Sequence, residues 1–135
     1  MINSADEFFQ LRTSENSEEY LKAAWDEASI EVWQDVIDRY PDMSFWVAQN
    51  KTVPIEILNI LSEHPDWRVR NMIASKNKIT VDLQMKLVRD NEALVRSSIA
   101  RNKKATLKIL QMLINDENEE IREIVRIRID EECYK

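Results

Sequence analysis

The chain has 135 residues, 44% of them hydrophobic and 33% charged, with a formal net charge of −6. This length suits one compact domain or one short array of repeats, and no apolar run approaches the roughly 18 residues that a membrane span requires. There is no glycine. Phosphate-cradling loops, dinucleotide-binding turns and nucleophile elbows are therefore excluded in their usual forms, because each needs a residue without a Cβ where the backbone turns tightly or nears a ligand.

The opening segment MINSADEFFQ has neither a basic n-region nor a continuous apolar stretch, so it does not read as a secretory signal and a cytoplasmic location is expected. Residues 1–38 carry ten acidic side chains against Arg12 and Lys22. Three helix starts are written there. Ser4-Ala-Asp-Glu7 is a capping box before FFQL, Asn16-Ser-Glu-Glu19 is a similar start before YLKAAW, and Ser29 precedes IEVWQDVIDRY. We expect an acidic helical N-terminal cap over residues 1–38, with Phe8, Tyr20, Trp25 and Trp33 packing onto the first repeat. Glu18, Glu19, Asp26 and Glu27 are its candidate protein-binding residues, since acidic side chains speed encounter with a basic partner.

From residue 39 the chain repeats every 26 positions without a gap: residues 39–64, 65–90 and 91–116, then a partial copy over 117–129 and a tail over 130–135. Val47, Ile73, Ile99 and Val125 share one column; Met43, Val69, Val95 and Ile121 share another, one helical turn earlier. In the second half of each copy, Val53, Ile79 and Ala105, then Ile57, Leu83 and Ile109, then Leu61, Leu87 and Leu113 keep the same spacing of four. Each unit therefore reads as two short helical segments, the first partly 3₁₀, each with one apolar stripe and unable to bury it alone. Stacking is the physical reason for repetition. With no glycine, asparagine is expected to supply left-handed backbone at the helix ends, with Asn50, Asn77 and Asn102 in the linkers.

Arg70, Arg96 and Arg122 form a further column, and His64, Asp90 and Asp116 lie six residues before them. A carboxylate closing one repeat and a guanidinium opening the next predict a structural ladder of charge-assisted bonds, also reaching helix-terminal carbonyls. Ser44 stands in this column in the first copy, so the ladder is expected to begin at Arg70.

The pattern Asp-x-x-x-x-Val-Arg-x-x-Ile-Ala, followed by an asparagine and a second leucine-bearing helix, resembles the leucine-rich repeat variant and HEAT-like α-solenoids of bacteria over residues 39–129. The resemblance implies an all-α fold, a short right-handed solenoid behind the N-terminal cap, and one cooperative domain. The segment RYPDMSFWVAQNKTVPIEIL is also similar to small solitary bacterial repeat proteins, for which the resemblance implies an immunity role beside a toxin.

A catalytic role is not expected. Cys133 and His64 are the only cysteine and histidine, and nothing in the sequence brings them together as a nucleophile and base. No disulfide, cofactor or metal site is expected, nor any membrane or small-molecule partner. Lys51, then Lys76 and Lys78, then Arg101, Lys103 and Lys104 recur in successive linkers. They form a candidate anion-binding edge for nucleic acid, the alternative to a protein partner. HEAT-like DNA glycosylases hold DNA on such an array, but this chain lacks their catalytic set. We therefore expect a non-catalytic protein-binding module, in its sharper form an inhibitor of a basic toxin domain.

Overall fold

A computed structural model describes residues 1–132. Among them the backbone forms ten α-helices and one 3₁₀ turn, Pro41–Met43, so the fold is all-α. The helices are α1 Ala5–Thr13, α2 Ser17–Trp25, α3 Ile30–Arg39, α4 Ser44–Gln49, α5 Ile55–Leu61, α6 Trp67–Ala74, α7 Val81–Leu87, α8 Ala93–Arg101, α9 Leu107–Met112 and α10 Glu119–Glu132. The chain divides into two compact units, Met1–Met72 and Ile73–Lys135. Cys133 lies outside the described residues.

In the first unit the three expected helix starts are all made by the expected side chains. Ser4 Oγ accepts from the Glu7 N–H at 3.0 Å, Asn16 Oδ1 from Glu18 at 2.9 Å, and Ser29 Oγ from Val32 at 3.2 Å. Each satisfies a backbone donor left unpaired in a first helical turn. Helix α1 packs on α2 and α3, and α3 on α4 and α5. At the centre Phe8 and Trp33 are fully buried, their rings edge to face with centroids 5.3 Å apart. Arg39 binds Asp6 and Asp35 at 3.0 and 3.3 Å, and the Tyr40 hydroxyl donates to Asp6, which ties α1 to the end of α3.

Of the four aromatic side chains expected to pack inward, Phe8 and Trp33 are buried, against one another. Tyr20 and Trp25 are exposed, because α2 buries a single side chain, Ala23. A helix seated through one small residue turns a narrow strip inward and leaves its large side chains outside.

In the second unit α7 packs on α8, and α8 and α9 on α10. The periodic columns are the buried positions in both units. Val47, Ile73, Ile99 and Val125 are each fully buried, as are Ile57, Leu83 and Ile109; Met43 and Ala105 are half-buried. Thr80 and Thr106, one period apart, cap α7 and α9 by accepting from the Leu83 and Ile109 N–H groups, each at 3.2 Å. The side-chain amide of buried Gln84 donates to the Lys104 carbonyl at 2.9 Å and accepts from Thr106 at 3.3 Å, bracing the linker before α9.

Asparagine does not act as expected. No described residue has a positive φ. Asn50 and Asn102 end α4 and α8 in extended backbone and work through buried side-chain amides. Asn50 Nδ2 donates to the Ala23 and Asp26 carbonyls at 2.8 and 3.0 Å. Asn102 Nδ2 donates to those of Ala74 and Lys76 at the same two distances. Each amide oxygen accepts from the N–H two residues on, at 2.8 Å. Arg128, one period after Asn102, reaches the equivalent Ala100 and Asn102 carbonyls at 2.6 and 2.8 Å. Asn77 is exposed and falls outside this column, where Lys76 stands. At α4 and α8, where the chain leaves the helix in extended backbone and side-chain amides take up neighbouring carbonyls, no glycine is needed.

Ser44, in the arginine column, is buried and its hydroxyl has no hydrogen-bond partner. Ser44→Ala removes an unpaired polar group, so we expect denaturant unfolding to show unchanged stability or a gain of up to about 1 kcal/mol. A loss of that size would show the hydroxyl to be bonded.

Candidate protein interface

Helix α2 carries the acidic candidates into a surface that the sequence did not fully disclose. Glu18 and Glu19 occupy its first turn, where negative charge is favoured by the helix dipole, and both are exposed. Leu21 and Trp25 follow Glu18 at i+3 and i+7, so the three share one face; Leu21 is 51% exposed, Trp25 62%, and neighbouring Tyr20 39%. Exposed Glu27 lies just beyond. Asp26 is half-buried and faces the chain's own α-amino group at 3.6 Å. Its backbone carbonyl also accepts from Asn50 and Thr52. Asp26 thus makes contacts within the first unit, while Glu18, Glu19 and Glu27 are exposed beside an apolar ridge. The apolar part was legible as the run YLKAAW, but its outward orientation depends on Ala23 being the seat.

Residues 1–72 hold fourteen acidic and six basic side chains, a net of −8, and residues 73–135 hold eleven and thirteen, a net of +2. The exposed ridge of α2 belongs to the strongly acidic unit.

The basic edge is less uniform than its spacing implies. Lys76 is buried, and Arg101 is held by Glu120 at 2.9 Å and by Ser97 at 3.3 Å. Lys103 and Lys104 are exposed. Lys78 is also exposed, yet its surroundings desolvate its ammonium enough to lower its pKa from the ordinary lysine value. Lys51, exposed in the first unit, donates its backbone N–H to the Ala24 carbonyl at 2.8 Å.

The ladder residues repeat one hydrogen-bond motif. The side chains of His64, Asp90 and Asp116 accept from the N–H two residues on, at 3.0, 2.9 and 2.9 Å. Their backbone carbonyls accept from Arg70, Arg96 and Arg122 at 2.8, 2.8 and 2.6 Å. The carboxylate that grips Arg96 is Asp116, twenty residues ahead, in a two-pronged pair at 2.8 and 3.2 Å; Asp90 supplies Arg96 with its carbonyl. The side chains of Arg96 and Asp116 are only 9% and 7% exposed. Burial alone would raise the Asp116 carboxyl, but the Arg96 guanidinium and the Asn118 N–H outweigh it and hold the pKa below the usual carboxylate value. Each of the three arginines thus donates to a backbone carbonyl of its own unit, and Arg96 also to a carboxylate.

The chain matches no known protein family, no curated protein and no solved structure. Among the described residues no helix is long and apolar enough to cross a membrane.

Proposed function

We propose that this protein is a non-catalytic binding module, a short right-handed α-solenoid with a helical cap, that engages a basic protein through α2. The observation that carries the reading is Trp25, 62% exposed on the same helix face as Leu21 and Glu18, within a unit of net charge −8. Exposed tryptophan ringed by charge is the composition of an interface hot spot, and a field of one sign selects and steers a partner of the other. The solenoid reading is supported by the 26-residue recurrence of the core columns, the arginine-to-carbonyl bonds and the Asn102 and Arg128 bonds. In its sharper form the module is a cytoplasmic immunity protein whose partner is a basic toxin domain.

Binding to a purified candidate basic partner, measured by calorimetry, tests the reading. Trp25→Ala should weaken the complex by about 2 kcal/mol or more. Reversal of Glu18, Glu19 and Glu27 to lysine should slow association and reduce its salt dependence. Unchanged binding in both variants would rule out α2. The second reading, nucleic-acid binding, is supported by exposed Lys78, Lys103 and Lys104. It predicts a salt-steep gel shift that is lost when those three are reversed.

A further inference from the structure

In the second unit the run over residues 93–115 contains no aspartate or glutamate and five basic side chains. Two of the five are already paired, Arg96 with Asp116 and Arg101 with Glu120, at 2.8 and 2.9 Å. Lys103, Lys104 and Lys108 are exposed and form no ion pair among the described residues. The backbone fixes where they stand. Asn102 Oδ1 accepts from the Lys104 N–H at 2.8 Å, the Gln84 amide donates to the Lys104 carbonyl at 2.9 Å, and Thr106 caps the helix that carries Lys108. Leu107, between Lys104 and Lys108, is 49% exposed, and its column-mate Val81 on α7 is 54% exposed. This edge is cationic, with apolar side chains among its charges.

The first unit offers the complement. Glu18, Glu19 and Glu27 are exposed and likewise form no ion pair among the described residues, and Lys22 is the single base of α2. Beside them Tyr20, Leu21 and Trp25 expose the apolar ridge. Unpaired carboxylates around apolar side chains in one unit therefore match unpaired ammonium groups around apolar side chains in the other. The net charge of −6 opposes the approach of two copies at long range. Beyond about 8 Å that repulsion is screened at physiological salt, and at contact the opposite signs of these two surfaces decide.

We infer that the basic edge of one copy is a partner surface for the α2 ridge of another, so that the chain associates with itself through two different faces. Unlike faces make the contact heterologous, and successive copies join in series. Pairing ridge with ridge would instead set Glu18, Glu19 and Glu27 against like charges, which is costly. The inference rests on the reading that α2 receives a basic surface, and it supplies that surface from the chain's own second unit. Association covers the ridge, so a basic protein partner competes with it.

The test is sedimentation equilibrium of the full chain. At about 0.01 M salt the average mass should rise with protein concentration, and association should weaken several-fold at about 0.15 M, where the screening length falls from about 30 to about 8 Å. Two variants at exposed positions leave the core intact. The first, Glu18→Gln with Glu19→Gln and Trp25→Ala, disables the ridge; the second, Lys103→Gln with Lys104→Gln and Lys108→Gln, removes the charge of the edge. Each alone should remain as single chains. Their equimolar mixture should form a species of two chains and nothing larger, because each retains the face that the other lacks. Single wild-type chains at every concentration up to about 1 mM, association of either variant equal to the wild type, or a mixture without the two-chain species would each overturn the inference. So would a gel shift showing that the edge binds nucleic acid while the purified chain stays single. A chain that stays single while Trp25→Ala still loses a basic protein in calorimetry would overturn self-association and leave the proposed interface standing.

Discussion

Ile99→Ala should lower the unfolding free energy by about 2–5 kcal/mol in urea denaturation. Ile99 is fully buried in α8, and its column-mate Ile73 is fully buried in α6. Truncation at either position removes three methyl or methylene carbons from a site with no access to water. The loss combines transfer free energy with the cavity that the surrounding side chains fail to fill. Leu94→Ala is the matched control: it lies in the same helix but is exposed, so its effect should stay within about 0.5 kcal/mol. Equal effects at Ile99 and Leu94 would refute the assignment of the inward face.

Arg96→Ala should cost about 3–5 kcal/mol, the size expected when one member of a buried ion pair is removed and the other is stranded. The variant leaves the Asp116 carboxylate buried without its guanidinium and the Asp90 carbonyl without a donor that now lies 2.8 Å away. Arg96→Met combined with Asp116→Leu should recover most of the loss, because a buried pair replaced by apolar side chains forfeits little net stability. A double variant as unstable as Arg96→Ala would show that the bonds to the Asp90 carbonyl and from the Asn118 N–H, rather than the ion pair, carry the effect. The pair also sets an acid limb. The Asp116 pKa is lower in the folded chain than the unfolded value of about 3.9. Between the folded and unfolded pKa values the unfolded chain binds the additional proton, so stability rises with pH there. The contribution is complete above about pH 5 and is lost as pH falls through the depressed folded value. Asp116→Asn should flatten this part of the stability profile.

Capping residues were sufficient to read the helix starts at Ser4, Asn16 and Ser29, and periodicity the all-α class and the buried columns through Val47, Ile73, Ile99 and Val125. Each arises from local rules: a side-chain oxygen reaches a first-turn N–H within its own few residues, and an apolar stripe recurs with the helical turn. Only tertiary contacts decided the rest. Arg96 pairs with a carboxylate twenty residues on, Lys76 is buried among otherwise exposed linker lysines, and Asn102 spends its amide on carbonyls 26 and 28 residues earlier. None of these partners lies within a helical turn, so no local pattern encodes the choice. The ridge of Tyr20, Leu21 and Trp25 has the same origin. An apolar run in a helix specifies that something must cover it, whereas the seating of α2 on Ala23 determined that these side chains face away from the chain's own core.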